Sequence, residues 1–281
     1  MTVPLREAAS VILLRRKKTA GFEVFLLRRK RAASFMGGAF VFPGGGTDPE
    51  EDARTCAARE LFEEAGVLLA KQADAPLHQE PNVTLGDGAA FSIAGLRKQV
   101  LAGANATTLL AEHQMQWWTD VLAPWSHWIT PSIEPKRFSA RFYVCEMPAG
   151  QRPSFDGDET IEQVWVSPDD AIVRAGELSL PPPQLRTMHE LVEHATIEAV
   201  MAASKARADE PHPILPRRRA LLEGESGITL LLPWDREYTE AGIGDSAPLT
   251  YAPAWARGPS RFVLEDRAWK HITAPGSTTA G

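Results

Sequence analysis

The chain has 281 residues, 44% of them hydrophobic and 23% charged, with a formal net charge of -6 at pH 7, which suits one globular domain with or without a smaller unit. The acidic balance disfavours nucleic-acid binding, two cysteines are too few for a disulfide framework, and no apolar stretch approaches the ~20 residues that span a bilayer. With no signal-peptide pattern before Arg6, we expect a cytoplasmic protein that binds neither nucleic acid nor membranes.

The first predicted elements are three strands. Residues 8–15 and 22–29 are apolar runs separated by a charged turn that contains glycine, which predicts a β-hairpin. Residues 39–42 form a short strand that leads into the sequence FPGG at 42–45. Because glycine backbone can approach a phosphate or a metal ion closely, this segment is a candidate for ligand contact.

A helix is predicted within the sequence GGTDPEEDARTCAARELFEEAGV at 45–67. Asp48 is the predicted N-cap, Pro49 the first helical residue and Glu51 the capping-box partner. Gly66 is the predicted end of the helix. The apolar residues of this helix fill one arc suited to burial, namely Ala57, Ala58, Leu61, Phe62 and Ala65.

Three glutamates, Glu60, Glu63 and Glu64, share another face of this helix because they are spaced i, i+3 and i+4. Their like charges repel one another unless a cation lies among them. Mg²⁺ and Mn²⁺ prefer carboxylate oxygens and bridge to phosphates, so this face is a candidate metal site. Taken alone, a glutamate-rich helix face is more commonly just solvated, and the surrounding pattern decides between the two interpretations.

The pattern around these glutamates resembles the Nudix box, G-x5-E-x7-R-E-U-x-E-E-x-G-U, in which U is a bulky aliphatic residue. All nine defined positions are filled between Gly45 and Val67. The resemblance implies an α/β fold, the Nudix α-β-α sandwich with a mixed sheet. It also implies hydrolysis of a small molecule in which a diphosphate is linked to another moiety, with Mg²⁺ or Mn²⁺ as cofactor.

The same resemblance implies catalytic roles for four box residues, Arg59, Glu60, Glu63 and Glu64. Glu63 and Glu64 are the implied principal metal ligands, with the carbonyl of Gly44 nearby. Glu60 is a further ligand or the base that activates water. Arg59 is expected to orient the glutamates through a salt bridge.

Further candidates lie at the edge of the box and outside it. Family members usually need one more acid from a loop, and Glu159 is the predicted metal ligand, with Asp158 and Glu162 as alternatives. Glu51 is left open between a helix cap and a catalytic role. Substrate phosphates are predicted to contact glycine backbone or arginines suited to bidentate bonds, namely Arg28, Arg29, Arg31, Gly45 and Arg137.

Residues 72–130 depart from a minimal domain of this kind. They follow the box, have weak helical patterns and contain Trp117, Trp118, Trp125 and Trp128. We interpret them as a large helical insertion near the site that supplies substrate specificity. The alternative is that the tryptophans only pack the insertion onto the core.

The remaining sequence predicts the rest of the sheet and two helices. Strands are expected over 137–146 and 161–166, followed by a helix that starts at Ser167 and a long helix over 183–204. Residues 1–205 are assigned to the Nudix domain. Residues 206–281 form a C-terminal extension, with a hairpin over 219–233 and a strand over 260–269. We expect it to pack on the body or on a partner subunit, as in a homodimer.

Segments outside the box are similar to the family branch that contains the animal peroxisomal acyl-CoA diphosphatase. The similar segments lie at 6–13, 35–45, 125–131, 136–138, 164–171 and 182–184. The box lacks that enzyme's long insertion, so the chain resembles a bacterial relative. The resemblance favours coenzyme A or acyl-CoA as substrate. Two alternatives stay open: a Nudix pyrophosphatase acting on ADP-ribose, NADH or dinucleotides, and a ligand sensor that uses a Nudix body without catalysis.

Overall fold

A computed structural model describes residues 3–33, 36–73, 92–207, 212–221, 226–251 and 253–274. The strands are, in chain order, β1 (Leu5–Arg16), β2 (Phe22–Arg29), β3 (Phe40–Val41), β4 (Gly44–Gly46), β5 (Ala70–Gln72), β6 (Met115–Trp117), β7 (Ala123–Ile129), β8 (Arg137–Glu146), β9 (Thr160–Val166), β10 (Pro213–Ile214), β11 (Arg217–Arg219), β12 (Ile228–Leu231), β13 (Gly242–Ile243), β14 (Arg261–Glu265) and β15 (Ala268–Ile272). The helices are α1 (Ala53–Ala65), α2 (Ile93–Leu101), α3 (Ala106–Glu112), α4 (Pro168–Val173), α5 (Pro182–Leu191), α6 (Ile197–Ala206) and α7 (Tyr238–Ala241), with a short 3-10 helix at Thr119–Val121.

The main sheet has eight strands and is mixed, as predicted. Its order is β10-β7-β8-β1-β2-β3, with β4 beside β1 and β9 beside β2. β1 and β8 run parallel along ten residue pairs. β1 and β2 form the predicted antiparallel hairpin, which turns between Arg16 and Phe22. Because β1 pairs with β2 only at its end and with β4 nearer its start, the strands spread apart around the FPGG sequence.

Helices cover both faces of this sheet. On one face, α1 buries its predicted apolar arc, with Leu61 packed among Val11, Leu13, Phe25 and Leu27. On the other face, α5 and α6 pack around a second core. Each large apolar side chain removed from water contributes roughly 1.5–3 kcal/mol, so the position of α1 against the sheet is strongly determined. The predicted α-β-α sandwich is confirmed.

The start of α1 differs from the prediction. Asp52, and not Asp48, is the N-cap: its Oδ1 atom accepts hydrogen bonds from the backbone N–H groups two and three residues later, at 2.9 and 2.8 Å. Glu50 has a φ of 67°, a left-handed conformation that an α-helix does not contain, so the helix begins only after it. The predicted end is confirmed, since Gly66 caps the helix with a φ of 67°.

Residues 72–130 divide into two parts. In the first, the antiparallel pair β5 and β6 packs together with α2 and α3 against Phe62 and Leu68, while residues 74–91 lie outside the described part of the chain. The second part, β7, pairs with β8 and is a strand of the main sheet. Trp125 and Trp128 consequently belong to the core on the α5 side of that sheet.

The single helix predicted over 183–204 is wrong. The structure has two helices there, α5 and α6, separated by five residues that end at Thr196. The Thr196 side chain accepts a hydrogen bond of 3.2 Å from the backbone N–H of Ala199. Threonine at this position is a favourable N-cap, and it starts a new helix where apolar periodicity alone predicts a continuous one.

The single strand predicted over 260–269 is also wrong, because the chain turns back within it. β14 and β15 form an antiparallel hairpin whose tight turn contains Asp266 and Arg267, with φ values of 48° and 66°. Two-residue hairpins need positive φ at both central positions. Glycine usually marks such a turn, and this turn has none.

The C-terminal extension forms a second sheet, with strand order β13-β11-β12-β14-β15. The predicted hairpin corresponds to the paired strands β11 and β12, and its residues 222–225 lie outside the described part of the chain. Leu232 and Phe262 are fully buried in the core that contains α5. Arg186 of α5 also donates to the carbonyls of Trp255 (2.7 Å) and Arg257 (3.1 Å). The described extension therefore packs on the body.

None of the helices in the described ranges combines the length and the apolar character needed to cross a membrane.

Candidate active site

The glycine-rich strand β4 lies directly against the glutamates of α1. The backbone N–H of Gly44 donates a hydrogen bond of 2.9 Å to Oε2 of Glu64, whose side chain is buried. A Cβ atom at Gly45 would lie only 2.4 Å from Oε1 of Glu60. Glycine at this position therefore leaves room for the Glu60 carboxylate, and the FPGG backbone is in contact with two box glutamates.

Arg59 joins three of the box glutamates, Glu51, Glu60 and Glu63, in one ion-pair network. Its Nη1 atom lies 2.9 Å from Glu60 and 3.2 Å from Glu63. Its Nε and Nη2 atoms donate to the two carboxylate oxygens of Glu51, at 2.9 and 3.0 Å. Glu51 also accepts a 3.0 Å hydrogen bond from the backbone N–H of Asp48. Both oxygens of Glu51 are thus engaged in holding the turn before α1 and in anchoring Arg59.

Two predicted residues from outside the box reach the same cluster, Arg29 and Glu159. The Arg29 guanidinium lies 4.0 Å from Glu64 and 3.8 Å from Glu159. Its Nε atom is buried and has no hydrogen-bond partner among the described residues. Arg29 ends β2, and Glu159 immediately precedes β9, which pairs with β2. This antiparallel pairing brings both side chains to the box helix.

The acidic cluster is buried enough to change its electrostatics. Burial is the largest cause that raises the pKa of Glu60 to about 7 and that of Glu64 to about 8. The charge of Glu159 raises both values further, while Arg59 opposes the shift at Glu60 and Arg29 opposes it at Glu64. Carboxylates gathered in this way are stabilised as anions by a nearby cation.

The donor chemistry of this cluster fits a hard divalent cation. Glu60, Glu63, Glu64 and Glu159 offer carboxylate oxygens, which Mg²⁺ and Mn²⁺ prefer. In the part of the chain that the structure describes, no three acidic, cysteine or histidine side chains surround a common point. The hydrogen bonds from Arg59 to Glu60 and from Gly44 to Glu64 account for the present orientation of two of these carboxylates.

Arg28 and Glu162 do not face this cluster. They pair with each other at 2.9 Å, and the Arg28 guanidinium lies over the ring of Phe40, which belongs to the core on the α5 side. Alternation along β2 explains the difference: neighbouring residues of a strand point to opposite faces, so Arg28 and Arg29 are separated by the sheet. Asp158 is exposed and pairs with Lys30 at 3.1 Å.

Arg31 and Arg137 also lie apart from the glutamates. Arg31 is exposed in the turn that follows β2. Arg137 is buried at the start of β8 and donates to the carbonyl of Thr130 (3.1 Å) and to Asp245 (3.3 Å). Its contacts tie the main sheet to the C-terminal extension, and neither arginine contacts a box residue.

Sequence reasoning missed Asp156, which holds the loop that carries Glu159. Its carboxylate accepts hydrogen bonds from the backbone N–H groups of Asp158, Glu159 (2.6 Å) and Thr160 (3.3 Å), and from the Thr160 hydroxyl (2.7 Å). Burial acts to raise the pKa of Asp156, but these hydrogen bonds outweigh it and lower the pKa. The dipeptide Asp156-Gly157 is a turn signal that could have revealed this loop.

Arg97 of α2 was also missed, and it fixes the end of the box helix. Its guanidinium donates to the carbonyls of Glu63 (3.0 and 2.8 Å) and Glu64 (2.9 Å), and to the Ser154 hydroxyl (2.9 Å). A cation at a helix C-terminus satisfies unpaired carbonyls and interacts favourably with the helix dipole. A lone arginine in an amphipathic helix gives no sequence signal for such a role.

The chain matches known proteins in sequence and in fold. Residues 49–191 match the model of the NUDT19 Nudix domain, and residues 4–83 match that of the NUDIX domain. The chain is 30% identical over 249 residues to "Putative nudix hydrolase 7" of Caenorhabditis elegans, over 85% of this chain and 77% of that protein. It is 32% identical over 203 residues to the acyl-coenzyme A diphosphatase NUDT19 of Homo sapiens, over 69% of this chain and 53% of that protein.

Among solved structures, a NUDIX hydrolase from Alicyclobacillus acidocaldarius matches with a TM-score of 0.60 at 22% identity, over 72% of this chain and 97% of that one. This likeness concerns the fold.

The fold, the filled box and these matches define a Nudix-type hydrolase domain. The chain belongs to the Nudix hydrolase family, as the sequence predicts. Members of this family generally use divalent metal ions. The chain spans about half the length of the curated acyl-CoA diphosphatases that it matches, 53% for the human protein.

Replacing Arg59 with alanine is expected to lower kcat by about tenfold or more, because Glu60 and Glu63 lose the cation that holds them. The melting temperature should also fall, since Glu51 loses its ion-pair partner. Arg54→Ala is the matched control on the same helix: its guanidinium lies 5.7 Å from the ring centroid of Tyr143, and we expect near-normal kinetics.

Steady-state kinetics and thermal denaturation of both variants measure these effects. A raised KM with unchanged kcat in Arg59→Ala would mean that Arg59 contacts the substrate phosphate directly, contrary to an orienting role.

Proposed function

We propose that this chain hydrolyses the diphosphate of coenzyme A or acyl-CoA in a reaction that requires Mg²⁺ or Mn²⁺. A water oxygen bonds to one phosphorus, the P–O–P bridge breaks, and the products are adenosine 3′,5′-bisphosphate and 4′-phosphopantetheine or its acyl thioester. The observation that carries the chemistry is the buried Glu64, with Glu60 and Glu63 on the same helix and Arg29 beside it. The substrate is supported by the relatives named acyl-coenzyme A diphosphatase.

The residues of the cluster have separate roles in this proposal. Glu63, Glu64 and Glu159 hold the metal, which when bound lowers the pKa of water and neutralises phosphate charge. Glu60 is the base that takes the proton of the attacking water, or a further ligand. Burial is the largest cause that raises the pKa of Glu60 to about 7, and a cation held nearby would keep Glu60 ionised and able to take a proton.

Arg29 binds a phosphate oxygen of the substrate in this proposal. Its buried Nε atom has no partner within the described residues, and a buried donor without a partner carries a free-energy cost. A substrate phosphate would relieve that cost. Gly45 contributes by leaving room for the Glu60 carboxylate beside the FPGG backbone. A ligand sensor without catalysis has no need for a complete set of box acids, all of which this chain retains.

A product screen tests the proposal and separates it from the other Nudix activities. The purified chain is incubated with coenzyme A, octanoyl-CoA, ADP-ribose and NADH, each with Mg²⁺, Mn²⁺ or EDTA, and the products are separated by chromatography. We expect adenosine 3′,5′-bisphosphate from the two coenzyme A substrates, and none in EDTA. Preferential release of AMP from ADP-ribose or NADH would reassign the substrate, and no cleavage of any compound would favour a sensor.

The loop acid is tested by a matched pair of variants, Glu159→Gln and Glu162→Gln. Glu159 lies 3.8 Å from Arg29 at the cluster, whereas Glu162 pairs with Arg28 on the opposite face of the sheet. We expect Glu159→Gln to lower kcat by ~10-fold or more and to raise the Mg²⁺ concentration needed for half-maximal rate. Glu162→Gln should behave like wild type. Equal losses in the two variants would remove Glu159 from the metal site.

A further inference from the structure

A ligand-sized space lies apart from the glutamates, on the α5 side of the sheet. This pocket has a volume of about 330 Å³ and is lined mainly by apolar side chains, within the range of small-molecule sites. Six of the residues that line it are Ala39, Trp128, Pro181, Pro182, Leu230 and Trp269. We call it the Trp128 pocket.

The Trp128 pocket is built jointly by the Nudix body and the C-terminal extension. Trp128 comes from β7 of the main sheet and Pro182 from the start of α5, whereas Leu230 and Trp269 come from β12 and β15 of the second sheet. The extension strands lie outside the residues that match the Nudix family models, 49–191 and 4–83. The second sheet therefore adds one wall of a pocket to a catalytic domain.

The pocket is close to the candidate active site along the backbone. Ala39, in its wall, accepts a hydrogen bond of 3.0 Å from the backbone N–H of Arg29, and the Arg29 guanidinium lies beside Glu64 and Glu159. Hydrogen-bonded strands are only ~4.8 Å apart. β2 pairs with β9 on one side and with β3 on the other, where β1 has separated from β2, so a flexible chain bound at the glutamates can pass beside β3 through this gap to the α5 face.

The charges of the lining indicate which end of the substrate fits. Glu134 and Arg267 are the charged residues that line the Trp128 pocket, and their charges are opposite. The adenosine bisphosphate end of coenzyme A carries an additional phosphate and needs cationic partners. The acyl-pantetheine end is uncharged and becomes apolar at its acyl chain, which gains free energy by leaving water. The lining suits the acyl end.

We propose that the Trp128 pocket binds the acyl chain of an acyl-CoA while its diphosphate lies at the glutamates, an inference that rests on the proposed coenzyme A diphosphatase function. The pocket makes the second sheet a determinant of substrate preference. Its presence favours acyl-CoA over free coenzyme A through a lower KM, without a change in the chemistry at the glutamates.

Two variants with matched controls test this assignment. Leu230→Trp fills the pocket, and Thr229→Trp places the same bulk on the next residue of β12, which points to the opposite face. Trp269→Ala removes an apolar wall, and Lys270→Ala alters its exposed neighbour on β15. Having two variants with opposite effects on volume guards against failure of one of them to fold. The measured quantity is kcat/KM for octanoyl-CoA and for free coenzyme A with Mg²⁺.

We expect each pocket variant to lower kcat/KM for octanoyl-CoA by about tenfold or more, chiefly through KM, and to change kcat/KM for coenzyme A less than about twofold. The controls should leave both values unchanged. Parallel losses for the two substrates, or no loss in either folded pocket variant, would overturn the acyl assignment while leaving the diphosphatase function standing. If the wild-type chain cleaves neither substrate, the proposed function fails and the acyl site with it.

Discussion

Replacing Glu64 with glutamine is expected to lower kcat by ~10²-fold or more at saturating Mg²⁺. Glutamine keeps the shape of the side chain and can still accept the 2.9 Å hydrogen bond from the Gly44 backbone, but it removes one negative charge from the proposed metal site. The same change at Glu63 should act in the same direction. Steady-state kinetics with octanoyl-CoA over a range of Mg²⁺ concentrations measure the effect.

Folding should survive the Glu64→Gln change. Burial is the main reason that the pKa of Glu64 rises from 4.5 to about 8. The folded state thus holds this proton more tightly than the unfolded state, and ionising the group destabilises the fold increasingly as pH rises between these values. Glutamine does not ionise, so the melting temperature in EDTA at pH 8 should be equal to or higher than that of wild type. Near-full turnover, or an unfolded variant, would contradict the assignment.

Replacing Gly45 with alanine should have an effect of similar size by a different route. The new Cβ atom would lie 2.4 to 2.7 Å from the carboxylate atoms of Glu60, so the carboxylate must move. Because that group is the end of a flexible side chain, we expect little loss of stability. We expect kcat to fall ~10²-fold, since a displaced base or ligand loses its aligned contact with the water it activates.

Gly46→Ala is the matched control for this change. A Cβ atom there meets its nearest neighbour, the carbonyl oxygen of Glu7, at 3.8 Å, which is an ordinary contact. This variant should retain wild-type kinetics and thermal stability. If Gly45→Ala keeps its activity as well, Glu60 is not a residue that contributes to the chemistry.

The sequence predicts the catalytic half of the fold well because its signals are local. The spacing of Glu60, Glu63 and Glu64 fixes their common helical face, and the apolar arc of the same helix fixes the face that is buried. The FPGG sequence predicts a close backbone approach to a phosphate or a metal ion, and in the structure the Gly44 backbone donates to Glu64. For the glutamates and the apolar arc, the position of each residue along the helix is enough to predict the face on which it lies.

Contacts between distant segments are harder to predict. Arg28 and Arg29 look equivalent in the sequence, and only the register of β2 against β9 places one at the cluster and the other on the opposite face. Of the three candidate acids, the same pairing brings Glu159 beside Arg29. Arg97 and Asp156 act through hydrogen bonds to backbone groups. Every residue type has these backbone groups, so the sequence does not indicate which residue is the partner.

Competing local signals explain the helix boundaries that were predicted wrongly. Asp48 and Asp52 are both acceptable N-caps, and the left-handed conformation of Glu50 decides in favour of Asp52. Thr196 looks like an interior residue of one long helix until its side chain is found capping a second one. In each case the helical sequence pattern continues across a residue at which a helix begins in the structure.

The most direct test of the central claim is the binding of Mn²⁺ itself, measured by electron paramagnetic resonance of the free ion during titration of the purified chain. Substrate identity does not enter this measurement. If the box carboxylates form a divalent-cation site, the wild-type chain binds Mn²⁺, and a Glu63→Gln/Glu64→Gln double variant with unchanged thermal stability binds it at least tenfold more weakly. Equal Mn²⁺ affinity in the two proteins would show that the cation binds elsewhere.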